Sequence, residues 1–494
     1  MTDDGDARPS TDLPLIVVIV VFALFRLAEL TRYSLWFDEI FSLSLATRDW
    51  SELLPAIAAD RTNPPLFYLL LKLWIGIGGL SVAWLRLLPC ALAIAGAWPL
   101  VALARVYGLG ARATLVALAA AAASPLLVTL ANEIRAYSLL LLLATGSVWA
   151  WKRLVCGTDG ATRRLAITLA AIDVALVYTH YFGWLVVAAE GAATLLWYRR
   201  QLRSVVLVTV GVGALFAPWA WTIWREAARH AQPLENVEWI TRPTLPDLVR
   251  FFDALTARVI AAGWEWVGAL VLLLPLAAFA VRSARRVHRG ALPRTAELAL
   301  LALLPPLVVF VASLTLARSA FVPRYLIVAA PAWFLLVGLA VDALSVRRAT
   351  LAAGAFALFT LGAGAAQRAR GGEKIPWERI VQHIASAERE RGGGVADGST
   401  PIFVFEGFTA LPVAWYLREL GAPRLRLVTA QSLDALDQAS RGWVIYREGS
   451  FEQPGVPEAR VKARSRSVDS GFRERTLSQE IVAFRFGGVT RAVP

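Results

Sequence analysis

Residues 66–80 read LFYLLLKLWIGIGGL, and the phrase Asp60-Arg61-Thr62-Asn63-Pro64-Pro65 runs straight into them. A bilayer crossing takes roughly 20 residues, so this run is short. It also carries Lys72 in its middle and ends in Gly76-Ile77-Gly78-Gly79. Whether it crosses decides which face every later loop occupies. Other apolar runs lie near 13–30, 83–104, 113–130, 136–151, 165–179, 182–198, 203–224, 263–281, 297–317, 325–343 and 349–366. The chain is 57% hydrophobic and 18% charged, with a mean hydropathy of +0.56. Soluble domains sit nearer half apolar and a quarter charged, so composition alone makes this an α-helical polytopic membrane protein.

The length and the mid-run lysine favour an interfacial place for 66–80. The remaining eleven runs then cross, and the loops sort into two groups. Residues 105–112, 152–164, 199–203, 282–294 and 347–348 hold 16 Lys and Arg in 41 residues. The opposite group, 31–82, 131–135, 180–181, 225–262 and 318–324, holds 12 in 104. The basic group belongs in the cytoplasm by the positive-inside rule. This places 1–12 as a cytoplasmic tail, 13–366 as the transmembrane domain and 31–82 as a first outer loop. The tail has four aspartates and one arginine, and acidic residues contribute little to the rule.

The net charge of +13 resides mostly in those short loops, which makes it a topology signal and implies no nucleic acid. Two cysteines, Cys90 and Cys156, cannot build a disulfide framework. No small-residue cleavage site follows residues 13–30, which read as a retained span.

From 367 the character changes. Short strand-like runs at Pro401–Phe405, Arg424–Val428, Gly442–Tyr446 and Glu480–Phe486 alternate with amphipathic stretches at 409–420 and 432–440. Residues 367–494 therefore read as a small α/β domain, extracytoplasmic if eleven runs cross.

On this topology the ionisable residues gather at one membrane edge. Asp38 and Glu39 follow the first run inside Trp36-Phe37-Asp38-Glu39, with Asp60 in the same loop. Arg86 opens the next crossing. Glu133, Arg135 and Tyr137 lie in Asn132-Glu133-Ile134-Arg135-Ala136-Tyr137; His180-Tyr181 and Arg324-Tyr325 occupy two further turns. A lone His-Tyr or Arg-Tyr is an ordinary interfacial pair. An acid pair at that depth costs free energy without a partner, so Asp38-Glu39 is the strongest functional signal. Arg26, Glu29, Asp173 and Glu190 fall within or beside apolar runs; Arg26 and Glu29 could snorkel or pair, and Asp173 could support the His180 level.

Arginines bind phosphate in a bidentate fork, and a carboxylate can take a proton from a hydroxyl. A membrane cleft suits a substrate with a long hydrocarbon tail. These parts describe transfer from a lipid-phosphate-linked sugar to an acceptor hydroxyl, the departing phosphate being stabilised by the arginines. A transporter or flippase for a lipid-linked intermediate is the alternative. It would place ionisable groups near the bilayer midplane, in halves related by an internal repeat that the sequence lacks.

The same residues, taken in order with Asn63-Pro64-Pro65-Leu66-Phe67-Tyr68, Ser124-Pro125 and Pro218-Trp219, resemble the bacterial family 39-like glycosyltransferases of the C-type superfamily. Relatives include the protein O-mannosyltransferases, the lipid A aminoarabinose transferases and the rhizobial lipopolysaccharide glycosyltransferases. The resemblance covers roughly 20–345 and implies a polyprenyl-phosphate sugar donor and an outward-facing site in a bacterial cytoplasmic membrane. It implies a glycan, lipid or protein acceptor, and first-loop helices lying along the membrane. By it, Asp38 is the base and Glu39 its neighbour in the acid pair, while Glu133, Arg135, His180 and Arg324 line the cleft. The family often has His where this chain has Asn63. Some superfamily members use a divalent metal, which Asp38 and Glu39 could hold.

Overall fold

The computed structural model describes residues 12–157, 162–229, 240–256, 294–342, 375–390, 400–404, 407–422, 425–429, 441–447, 470–475 and 480–486, with Leu344, Leu436, Gln438 and Ala439. The apolar runs expected at 263–281 and 349–366, and nearly all of the stretch 432–440, lie outside these residues. The chain divides into two compact units. One runs to Leu30 and then from Leu45 to Gly364; the other combines Thr31–Ser44 with Ala365 onward.

The first unit is helical: α1 (Asp12–Ala28), α2 (Phe37–Ala46, whose last residues enter it), α3 (Trp50–Asp60), α4 (Leu66–Gly78), α5 (Val82–Ala95), α6 (Ala97–Val106), α7 (Ala111–Ala123), α8 (Pro125–Leu130), α9 (Tyr137–Cys156), α10 (Thr162–Thr179), α11 (Gly183–Trp197), α12 (Leu202–Arg229), α13 (Leu245–Thr256), α14 (Arg294–Thr315) and α15 (Ala330–Asp342). A 3-10 helix, Pro323–Ala329, leads into α15. Among the described residues, five stretches are long and apolar enough to cross a membrane: Val82–Val106, Tyr137–Cys156, Arg199–Arg229, Arg294–Thr315 and Pro323–Val341. Leu13–Ala28, Leu66–Gly78, Ala111–Ala123 and Gly183–Trp197 are shorter apolar helices. Leu207, Val210, Leu215 and Val311 are exposed on their helices, as lipid-facing positions require.

Local sequence explains the breaks. Pro125 cannot continue α7, so α8 restarts there with Pro at its first turn, and the Ser124 hydroxyl caps it by accepting from Leu127 N–H at 3.4 Å. Gly79, at φ +78°, ends α4 in a conformation that only glycine adopts without strain. The turn after it is fixed by two tryptophans. Trp74 and Trp84 stack 4.2 Å apart, and each indole N–H donates to the other's carbonyl, at 2.8 and 2.9 Å. Lys72, the lysine mid-run in α4, donates to the carbonyls of Ala46 and Arg48 and stands over the Trp50 ring. Gly338 lets α15 touch α7, because a Cβ there would collide with the Ala113 carbonyl oxygen. Arg26 pairs with Glu29 at 3.5 Å and donates to Val128 O at 2.9 Å.

The second unit contains α16 (Trp377–Glu390), β1 (Thr400–Val404), α17 (Gly407–Glu419), β2 (Leu425–Thr429), β3 (Gly442–Arg447), β4 (Ser470–Arg475) and β5 (Glu480–Phe486). The sheet order is β2-β1-β3-β5-β4, parallel among the first three and antiparallel thereafter. Phe403, Val444, Tyr446, Val482, Phe484 and Phe486 form a core with Leu436. Glu388 of α16 accepts from Arg485, Trp443 and Thr400 at 2.7–3.0 Å. Burial alone would raise its carboxyl, but these donors outweigh that and hold it below its usual range. The strand β4 and the helices α13 and α16 are additions to what the sequence pattern showed.

Candidate functional site

The short link between α8 and α9 is buried. Glu133, Ile134, Arg135 and Tyr137 are all nearly inaccessible, and Arg135 N–H donates to Glu133 O at 2.6 Å. This tight turn presents Tyr137 at the start of α9. Two more elements bring their ends to the same place: the turn after α10, with His180-Tyr181-Phe182, and the 3-10 helix with Arg324-Tyr325. Tyr325 is the hub. Its ring centroid lies 5.2 Å from His180, 5.5 Å from Phe182 and 6.3 Å from Tyr137. The Arg135 guanidinium stands over Tyr137, and that of Arg324 over Tyr325.

His180 is fully enclosed. Burial, together with the charges of Arg135 and Arg324, pushes its pKa down to about 3, so it is neutral at physiological pH. Phe182 N–H donates to its Nδ1 at 3.1 Å, which leaves the ring proton on Nε2. The arrangement is a neutral donor ring within reach of two permanent cations. Such a set can bind an anion without losing charge to a titration.

Tyr181 points to the other side of the turn. Its hydroxyl accepts from Trp219 Nε1 at 3.3 Å. Burial raises its pKa, and the nearby Asp60 carboxylate adds to the rise. Asp60 accepts from the Thr62 hydroxyl, and Arg61 between them adopts the left-handed region at φ 57°. Arg86 is buried on α5 and donates to Leu30 O at 3.0 Å, tying the end of α1.

The structure thus gathers Arg135, Tyr137, His180, Arg324 and Tyr325, with Tyr181 and Asp60 alongside. Asp38 and Glu39 belong to the second unit. There they occupy the first turn of α2, where the helix dipole favours negative charge. Glu39 is completely buried, and its Oε2 accepts from Trp36 N–H at 3.3 Å, the reach-back half of a capping box. Asp38 is half-buried. Among the described residues, no group of three or more His, Cys, Asp or Glu is placed to hold a metal ion.

Asp173 does not support His180. Ser147 Oγ lies 2.6 Å from Asp173 Oδ1 and 2.7 Å from Glu190 Oε1, so α9, α10 and α11 share a buried polar knot within the bundle. A second knot joins Lys152, Glu297, Tyr107 and Tyr198. Sequence reading counted Lys152 among loop charges and did not single out Glu297.

An apolar cavity of about 70 Å³ adjoins the hub. Val18 and Phe22 of α1, Leu100 of α6, Leu127 of α8 and Phe334 of α15 line it, and Tyr137 and Ser138 lie on its wall. Tyr137 therefore belongs both to the arginine-aromatic hub and to the cavity.

No family model matches the sequence, and no curated protein matches it. Solved structures do match. ArnT from Cupriavidus metallidurans in the apo state aligns with a TM-score of 0.54 at 16% identity, over 96% of this chain and 98% of that one. The same protein bound to undecaprenyl phosphate gives 0.55 at 15%, over 97% and 99%. The chain has the C-type glycosyltransferase fold. The oligosaccharyltransferase of Archaeoglobus fulgidus in the apo form also aligns, with a TM-score of 0.53 at 12% identity, over 99% of this chain and 75% of that one. This C-type fold is the architecture that the resemblance implied, with α2, α3 and α4 supplying short helices in the first loop.

Proposed function

We propose that this chain is a membrane glycosyltransferase that moves a sugar from a polyprenyl-phosphate carrier to an acceptor hydroxyl. The observation that carries the reading is the position of Tyr137, shared by an apolar cavity and a hub holding two arginines. The isoprenoid next to the phosphate suits the first, and the phosphate suits the second. The binding of undecaprenyl phosphate by ArnT, which has the same fold, supports it.

In this reading the acceptor oxygen attacks the anomeric carbon and its proton passes to the Asp38 carboxylate. The bond from that carbon to the phosphate oxygen breaks, and polyprenyl phosphate leaves with the electron pair. Arg135 and Arg324 stabilise its charge, and the Nε2–H of neutral His180 adds a donor. Asp38 and Glu39 make a poor chelating set, because Glu39 already caps α2.

The reading places the protein in a bacterial cytoplasmic membrane. Residues 1–12 lie inside, 13–366 form the transmembrane domain, and the first loop, 31–82, and the domain at 367–494 lie outside. The Asp173-Ser147-Glu190 knot favours the alternative, a flippase for a lipid-linked intermediate, since it buries two acids inside the bundle.

The test is transfer from radiolabelled polyprenyl-phosphate sugars in membranes containing the protein, beside Asp38→Asn and Asp173→Asn. Transfer abolished by the first substitution and retained by the second supports the reading. Transmembrane movement of the labelled lipid without transfer, lost in Asp173→Asn, would favour the flippase.

A further inference from the structure

Thr31–Ser44 precede nearly the whole helical bundle in sequence, yet they belong to the unit formed by the C-terminal domain. Within that unit the contacts converge on the turn just before Asp38. The Tyr416 hydroxyl, on α17, accepts from Leu35 N–H at 2.7 Å and lies 3.5 Å from Leu35 O. One phenol thus engages both backbone groups of a buried residue, as a neighbouring strand would. Phe408, at the start of α17, stacks on Phe37 with ring centroids 5.0 Å apart. Trp377, fully buried at the start of α16, backs Phe408 edge-on at 6.4 Å. Leu35, Glu39, Ile40, Ser42 and Leu43 are buried.

Leu35 sits one residue before the cap of α2, and Phe37 is the residue before Asp38. Restraining both leaves the Asp38 backbone little freedom, and Glu39 closes the cap from within. We propose that the C-terminal α/β domain is a positioning element, with Tyr416 and Phe408 fixing the turn that presents Asp38. The inference rests on the reading of Asp38 as general base. Tyr416 and Phe408 are positioning residues, since they act through the turn.

The experiment uses the full chain with Tyr416→Phe, Phe408→Ala and Phe408→Tyr, and Asp38→Asn as reference. Turnover is normalised to the amount of protein that binds polyprenyl phosphate, which removes any unfolded fraction. Losing the acceptor of a buried N–H should lower kcat roughly tenfold in Tyr416→Phe. Losing the stacking partner should lower it up to about a hundredfold in Phe408→Ala, because a misplaced catalytic group is costly. The KM for donor should hold, and Phe408→Tyr should keep its turnover. Amide exchange in detergent should quicken across 31–44 in the first two variants and stay unchanged in α9.

Unchanged exchange at 31–44 overturns the inference, and so does faster exchange with undiminished turnover. If Asp38→Asn turns over normally, the base assignment falls instead. If the wild-type protein transfers nothing, the transferase reading falls, and exchange alone decides whether the domain holds the turn.

Discussion

Lys152 and Glu297 meet at 2.7 Å inside the bundle, and the hydroxyls of Tyr107 and Tyr198 both donate to the same carboxylate. The rings of those tyrosines also stand 4.6 and 4.8 Å from the ammonium. The hub at the other site is built differently: Arg135 and Arg324 bear on a buried, neutral His180, and aromatic rings pack around them. The first cluster closes its charges on one another, whereas the second sets two guanidiniums over aromatic rings, beside an imidazole that carries no charge. Closed charge ties α6, α9, α11 and α14 together and offers a ligand nothing. A site for a departing phosphate needs the second kind, where positive potential is held in place before the anion arrives.

Breaking the closed cluster should cost the most. Lys152→Met leaves Glu297 buried without its cation, which typically costs about 3–5 kcal/mol. Thermal unfolding in detergent should register the loss, and Lys152→Met/Glu297→Leu should recover part of it. Transfer per folded molecule should be untouched. If the lysine variant unfolds normally but fails in transfer, the contrast between the clusters is wrong.

Arg324→Gln should do the reverse, lowering transfer by about 10²–10³-fold, the usual loss for one preorganised donor, with little change in unfolding. Arg324→Lys should restore only part, because an ammonium lacks the planar fork.

His180 sharpens the comparison through pH. Its folded pKa, about 3, lies below the unfolded value near 6.5. The unfolded state therefore binds the proton first. The stability His180 allows is fully present above about pH 6.5 and is lost as the pH falls toward 3. In His180→Phe, stability should fall less steeply across that window, by about one proton in the linkage slope. An identical slope would mean that His180 is not held neutral.

The smallest effect concerns Arg61, in the left-handed region beside Asp60. Arg61→Gly should stabilise the chain by about 1 kcal/mol if the backbone strain is all that matters there. A loss of transfer in that variant would show that the strained turn serves the site.

The bundle was legible because lipid demands long apolar runs, and most expected runs in the described residues coincide with a helix or a kinked helical pair. Ser124-Pro125 and Gly79 fell where chain chemistry requires breaks. The strand β4 was not legible: Ser470-Gly471-Phe472-Arg473-Glu474-Arg475 lacks an apolar run, and pairing with β5 makes it a strand. The pattern of α16 was there to be read, since Trp377, Ile380, Val381 and Ile384 share one buried face. At the site, single residues could be picked out as ionisable or aromatic groups at membrane-edge turns. Their convergence on Tyr325 could not, because three separate turns supply it. Tyr416 gave no signal at all: its partner Leu35 lies 381 residues away, and only tertiary structure joins them.

The most direct measurement is equilibrium binding of polyprenyl phosphate to the purified protein, competed with polyprenol and with inorganic phosphate. Saturable binding of the lipid phosphate is expected, with weak competition by either half alone. Arg135→Gln/Arg324→Gln should lose most of the affinity. Equal binding of polyprenol and polyprenyl phosphate, unchanged in the double variant, would contradict the claim that the hub holds the departing phosphate.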